Sequence, residues 1–385
     1  MSTSAVVPYR VGAALRLHIH QSLSDELPIS GTVSATITKV FSLTMQPVMR
    51  VTIPTPTGTD FCAVIKLYDR RCGSTLRNIG RQVVQHTAEA EAAYQAFVRS
   101  GEMETFVRSL AERRKTSVYP PGAYEFYEDN SPQSMARFEA ALWLQSNEYF
   151  DSETEAYARL RDLQGKTIPR MYAHARLDLS RGGAHHVPDD LCHGPLSTYF
   201  DTKAVLLEYI PGPSLHDLPF SDISRRSADP THTCQVVVQE AVNTVHEINR
   251  RGMVLSDCSP FNALVDQRTQ RAVIIDFAQC EFRDQLIDFY INVQHDNEEP
   301  GWDPDVAYWD LAFCTDNPGA IGAVMTLRCR RDKGMHLAIQ YPDRVKIEQD
   351  IESKTSRWDK DGYHLQNHVT YRGGPQAKGA RQQPP

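Results

Sequence analysis

A chain of 385 residues, 41% of them hydrophobic, allows two or three domains or one two-lobed enzyme with an ample core. Its net charge of −7 leaves no basic footprint, which disfavours nucleic acid as a partner, and no apolar run reaches membrane-spanning length. The N-terminus lacks a charged-then-apolar secretory pattern and the eight cysteines are scattered without a C-x-x-C pair. They read as free thiols of a reducing compartment, cytosol or nucleus, in a protein that is not secreted.

Residues 1–30 carry no clear period and read as a flexible lead-in. From Thr32 the pattern becomes β-rich: TVSATITKVF, PVMRVTI and FCAVIKLY, the last preceded by the turn residues PTPTGTD, predict a three-strand meander. The third run ends in Ala63-Val64-Ile65-Lys66. Between the first two runs, residues 41–47 (FSLTMQP) contain no glycine, so side chains there would hold the backbone away from any phosphate. About eighty residues then read as an inserted, mainly helical subdomain, roughly 72–148. Residues 89–99 and 135–144 have helical composition and apolar spacing, and the YPPG turn at 119–122 separates them.

From Tyr149 the spacing predicts a helix with Tyr157, Leu160 and Leu163 on one stripe, ended by Gly165 and Pro169. Glu153 and Glu155 lie near its start, where the helix dipole favours acids. Residues 181–193 (RGGAHHVPDDLCH) are loop-like; their His, Cys and Asp lack the paired spacing of a zinc site, and a solvated loop is the simpler reading. Residues 204–210 (AVLLEYI) form a buried strand broken by Pro211-Gly212-Pro213. Residues 234–251 form an amphipathic helix with Val238, Val242, Val245 and Ile248 on one face and Gly252 as its stop.

The stretch from Gly252 to Gln279 carries the chemistry. Ala263-Leu264-Val265 and the run from Ala272 to Ile275, separated by polar, turn-forming residues 266–271, predict a hairpin of two buried strands. Asp257 and Asn262 precede the first strand and Asp276 follows the second. Three oxygen-bearing side chains at one sheet edge suit a hard cation such as Mg²⁺. Cys258 reads as a buried, inert thiol. Downstream, residues 285–293, 305–313 and 321–327 look helical, the basic runs at 113–115 and 328–333 read as solvated faces, and the Gly/Pro/Gln-rich tail reads as disordered from about 371.

In order, these pieces resemble the catalytic core of the protein-kinase-like superfamily, including the aminoglycoside and choline phosphotransferase branch. Asp257 and Asn262 have the Asp-x-x-x-x-Asn spacing of the catalytic loop, Asp276-Phe277-Ala278 stands where Asp-Phe-Gly would, and Ala63 to Lys66 is similar to the V-A-I-K strand. LYDRR after the lysine, with a delayed E-x-x-x-Y-x-x-L-x-x-LQGKTIPR, is similar to fungal kinase-like proteins of that branch with a long helical insertion here. The resemblance spans roughly residues 35–325 by motif order. It implies a two-lobed α+β kinase-like fold with a helical insertion after the third N-lobe strand, divided as 1–30, 31–210, 211–345 and 346–385.

The resemblance also implies roles. ATP and Mg²⁺ sit between the lobes; Lys66 neutralises phosphate charge, paired with Glu153, behind which Tyr157 and Leu160 lie at +4 and +7, with Glu155 as the runner-up. Glu208, Tyr209 and Ile210 form a hinge that meets adenine through its backbone. Asn262 and Asp276 hold the metal, and Asp257 accepts the proton of an attacking hydroxyl on an acceptor that the sequence does not identify. Departures from the pattern are Leu255 for the catalytic-loop histidine, Ser256, Ser259 for a lysine, Ala278 for glycine, and no Ala-Pro-Glu. They leave a second reading open, a pseudokinase that binds nucleotide or acts as a scaffold.

Overall fold

The β-rich runs form strands because alternate residues are large and apolar and find one common interior. The computed structural model describes residues 9–27, 29–56, 58–178, 187–192, 194–298 and 302–355. It divides into two compact units, Met1–Tyr209 and Ile210–Pro385.

In the first unit the strands are β1 (Ala14–Ser22), β2 (Gly31–Ser42), β3 (Val48–Pro54), β4 (Asp60–Tyr68), a short hairpin of β5 (Asn78–Ile79) and β6 (Gln82–Val83), β7 (Met171–Leu177) and β8 (Lys203–Glu208). Six of them close a barrel in the order β1-β2-β3-β4-β8-β7, every pair antiparallel. Leu17, Ile37, Met49, Val51, Ile65, Leu67, Ala175 and Leu206 are among the side chains that fill it. This overturns the two-lobed kinase-like fold expected above, because a kinase N-lobe has an open sheet and this barrel is closed. The strand responsible, β1, lies within the supposed lead-in: Leu15, Leu17 and Ile19 alternate inward, and β1 pairs with β2 on one side and β7 on the other. Closure leaves no unpaired edge in the sheet.

After β4 come α1 (Ala88–Arg99), α2 (Glu102–Thr116) and α3 (Pro132–Arg159), followed later by the short α4 (Asp189–Cys192). Thr87 caps α1, and Ser131 caps α3 with Pro132 in its first turn. The expected break between the insertion and the Tyr149 helix does not exist. The polar residues 145–148 continue the helix, so α3 is a single helix through both segments. Helix α2 was not anticipated; only Met103 and Leu110 of its fifteen residues are buried, too narrow a stripe to stand out.

The second unit holds α5 (Asp222–Arg226), α6 (Pro230–Arg250), β9 (Met253–Leu255), β10 (Ala263–Val265), β11 (Ala272–Ile274), β12 (Cys280–Phe282), α7 (Arg283–Phe289), α8 (Pro304–Thr315), α9 (Asn317–Lys333) and α10 (Arg344–Thr355). The strands make two small antiparallel hairpins, β10 with β11 and β9 with β12. Pro211-Gly212-Pro213 runs beside β10, with Val265 and Gln267 donating to the Pro213 and Pro211 carbonyls at 2.9 and 2.7 Å. Glycine is required there, since a Cβ at residue 212 would lie 1.9 Å from the Val265 carbonyl oxygen. Among the described residues, no helix is long and apolar enough to cross a membrane. Residues 1–8 of the lead-in, 181–186 and 193 of the His-rich loop, and the tail from 356 lie outside the described residues.

Candidate functional site

The site residues of the first unit follow from strand alternation. Ile65 and Leu67 point into the barrel, so Lys66 and Tyr68 stand on the opposite face of β4, against α3. On α3 the helical period brings Phe150, Glu153 and Tyr157 to one side; Phe150 meets the Tyr68 ring edge-on at 5.3 Å. Lys66 Nζ lies 2.6 Å from Glu153 Oε2, with both side chains buried, and the Tyr68 hydroxyl donates to the same oxygen. Glu155, the other acid the sequence left open, pairs instead with Arg159 one turn along on the exposed side.

Two other features of this unit bear on a nucleotide. The Glu208 N–H donates to the Arg170 carbonyl at 2.8 Å and the Glu208 carboxylate holds the Arg170 guanidinium at 3.1 Å. Tyr209 lies 6.4 Å from the Phe41 ring and under the Arg50 guanidinium. Of the expected hinge, therefore, the Glu208 amide is committed within the unit, and Ile210, a buried residue, begins the second. The glycine-free turn after β2 is fastened too: Thr75 N–H donates to the Thr44 carbonyl at 2.8 Å. Gly73 passes so close that a Cβ would lie 2.3 Å from the Met45 carbonyl oxygen.

In the second unit, two backbone hydrogen bonds lay the loop of residues 256–262 against the segment after β11. Ser256 N–H donates to the Gln279 carbonyl and Ile275 N–H to the Asn262 carbonyl, each at 2.9 Å. Asp257, Asn262 and Asp276 consequently line one small pocket, with Leu255, Cys258, Ser259, Ile274 and Ile275 among its walls. The Asn262 amide donates to the Asp257 carbonyl oxygen at 2.8 Å and to Asp257 Oδ2 at 3.2 Å. Asp257 is exposed and Asp276 half-buried.

Asp276 takes a left-handed backbone, φ 66°, a conformation that Asp tolerates better than most residues. The positive φ falls on Asp276 and not on Ala278, so Ala278 is accommodated without the freedom of a glycine. Phe277 is fully buried and anchors the turn. Burial, with Asp257 and Asp316 nearby, pushes the Cys258 thiol up to about 12, which keeps it protonated and a poor nucleophile.

Leu255, which stands where the kinase-like resemblance would put a histidine, has its backbone held by a residue far along the chain. Asn317, at the start of α9 and fully buried, accepts from the Leu255 N–H at 3.0 Å and donates to the Leu255 carbonyl at 2.7 Å. Asn249 of α6 donates to the Asn317 side-chain oxygen at 2.8 Å and to the Met253 carbonyl at 2.9 Å. Tyr308 of α8 closes the network on the Asn249 carbonyl at 2.6 Å. The sequence reading missed Asn317, which follows Leu255 by 62 residues and carries no local motif.

Chemically, Asn262 and Asp276 offer an amide and a carboxylate, hard oxygen donors that fit Mg²⁺ but complete only part of its shell. Mg²⁺ often takes its remaining ligands from phosphates and water. No group of three or more His, Cys, Asp or Glu among the described residues is placed to hold a metal by itself. Neither protein-family models nor curated proteins give a match to this chain.

Proposed function

We propose that the protein is an ATP-dependent phosphotransferase that moves the γ-phosphoryl group of Mg²⁺·ATP to a hydroxyl of a small-molecule or protein acceptor. The observation that carries this reading is the convergence of Asp257, Asn262 and Asp276 on one pocket, at the ends of a paired hairpin and with Asn262 bonded to Asp257. Phosphoryl transfer needs positioning and charge neutralisation more than covalent participation. In this reading Asn262 and Asp276 hold the Mg²⁺ that arrives with the nucleotide, and the exposed Asp257 carboxylate orients the acceptor hydroxyl and takes its proton. Lys66, fixed by Glu153, is the cation assigned to phosphate charge. The free thiols among the described residues support a reducing compartment, cytosol or nucleus.

A second reading, a nucleotide-binding or scaffold protein without turnover, is favoured by the committed Glu208 amide and the fastened, glycine-free turn after β2. Two substitutions separate the readings. Asp276→Asn weakens Mg²⁺-dependent ATP binding under either, because it removes a charge from the metal. Asp257→Asn leaves ATP binding nearly intact; in a phosphotransferase it abolishes phosphate transfer, since that carboxylate acts in the transition state. Should the unmodified chain bind ATP yet turn over no faster than Asp257→Asn across a broad acceptor panel, the scaffold reading replaces the enzyme.

A further inference from the structure

The last turns of α6, the C-terminal half of α8, the start of α9 and the segment that leads into α10 line a cavity of about 420 Å³ in the second unit, separate from the Asp257 pocket. That volume lies within the range of small-molecule sites. Its aromatic walls are Trp309 and Phe313, whose rings lie 5.5 Å apart, His246, 6.1 Å from Trp309, and Tyr341. The charged groups of the lining are already engaged. Asp316 accepts from the Gly319 N–H at 2.9 Å as the cap of α9, and Arg344 pairs with Glu348 at 2.6 Å while its guanidinium lies over the Phe313 ring at 4.7 Å. Being of opposite sign, they leave the cavity without a preferred charge. His246 adds none at pH 7, because burial and Arg250 hold its pKa below the usual 6.5 against the opposing pull of Glu247.

The neutral polar groups of the lining are not all engaged. Asn249 is 2% exposed. Its amide N–H groups go to the Met253 carbonyl and the Asn317 side-chain oxygen, yet its own side-chain oxygen accepts from no described residue. The Trp309 indole N–H likewise has no hydrogen-bond partner among the described residues. A buried acceptor without a donor is costly and calls for an explanation. We propose that this cavity binds an uncharged, planar ring molecule that carries an N–H or O–H. The ring lies among Trp309, Phe313 and Tyr341, where stacked and edge-on aromatic contacts are favourable, and its donor meets the Asn249 side-chain oxygen. A charged relative would give up its hydration to reach groups that are already paired. Asn249 also holds Asn317 and, through it, Leu255, two residues before Asp257, so an occupant of the cavity touches the brace behind the loop of residues 256–262. The site does not depend on the phosphotransferase reading.

The test is a calorimetric titration of the full chain with indole, which is planar, uncharged and bears a single N–H. Indole should bind at one site. N-methylindole, which lacks the donor, should bind about three- to tenfold more weakly, the worth of one hydrogen bond. Tryptamine, a cation, and indole-3-acetate, an anion, should also bind more weakly than indole. Ala323→Trp, a substitution at an exposed position of the α9 wall, should fill the cavity and abolish binding, and Trp309→Leu should weaken it. The proposal is overturned if indole shows no binding up to its solubility, or if N-methylindole or either charged relative binds as tightly as indole. It is equally overturned if Ala323→Trp binds indole like the unmodified chain. Should Trp309→Leu fail to fold, Ala323→Trp decides.

Discussion

Lys66 and Glu153 are a buried ion pair, with side-chain exposures of 4% and 0%. Such a pair can be worth little net, since both charges leave water, yet removing one partner strands the other in a low dielectric. Glu153→Ala should therefore destabilise the first unit by about 3–5 kcal/mol. Glu155→Ala, which loses only a partly exposed pair with Arg159, should change stability by less than about 1 kcal/mol. Chemical denaturation followed by a first-unit probe measures both; equal losses would remove Glu153 from its special position. Asn317 is the corresponding residue of the second unit. Asn317→Ala leaves the Leu255 N–H and C=O and the Asn249 amide short of a partner in a buried place, and should destabilise that unit by about 3 kcal/mol or more. A loss under about 1 kcal/mol would mean that water or a neighbour takes over the brace.

At the scale of elements, ion pairs fasten α1 and α3 to the segment that leaves β4. Glu139 of α3 accepts from Arg70 at 2.6 Å, Arg77 at 2.5 Å and His86 at 3.1 Å, while Glu91 of α1 takes Arg70 at 2.5 Å and His86 at 3.2 Å. Burial alone would pull the His86 pKa down, but Glu139 and Glu91 outweigh it and hold it above the usual 6.5, with Arg70 opposing them. A raised folded value means that the contribution of His86 is fully present below about pH 6.5 and fades as pH rises through the folded value. For Glu91 and Glu139 burial pushes up, yet Arg70 and Arg77 with His86 depress both well below the ordinary carboxylate range. Their contribution is present above about pH 4.5 and is lost as pH falls further. Stability of the first unit should thus decline on going from pH 6 to pH 9, and His86→Gln should flatten that slope while leaving the acid-side loss. An unchanged alkaline slope in His86→Gln would place its cause elsewhere.

Legibility at this scale tracked how local the signal is. The β2–β3–β4 meander and the β10–β11 hairpin show in their own letters, because alternation or a short aliphatic run is bounded by turn residues. Strand β1 also alternates, with Leu15, Leu17 and Ile19 set between Arg16, His18 and His20, a strand signal that the reading of residues 1–30 as a lead-in passed over; closure itself depends on β7, far along the chain. The juxtaposition of the candidate residues was more legible than the fold around it. Asp257, Asn262 and Asp276 are placed by one hairpin and its flanks, whereas Asn317 reaches the loop only through the packing of α6 with α9.

For the whole molecule, motif order and architecture part company. The candidate residues Lys66, Asp257, Asn262 and Asp276 occur in the order of a kinase-like enzyme, yet the sheet of the first unit is a closed barrel. Fold therefore lends the function no support, and the reading rests on the site itself. Its central claim is that the folded chain binds Mg²⁺·ATP, which a melting-temperature titration with ATP tests directly, in the presence of Mg²⁺ and in its absence. A ligand that binds only the folded state adds about 2.7 kcal/mol of stability at a concentration one hundred times its dissociation constant. The account predicts that Tm rises progressively with ATP when Mg²⁺ is present, rises much less without it, and loses the difference in Asp276→Asn. A Tm that stays level through millimolar Mg²⁺·ATP, or that rises equally in Asp276→Asn, would contradict it.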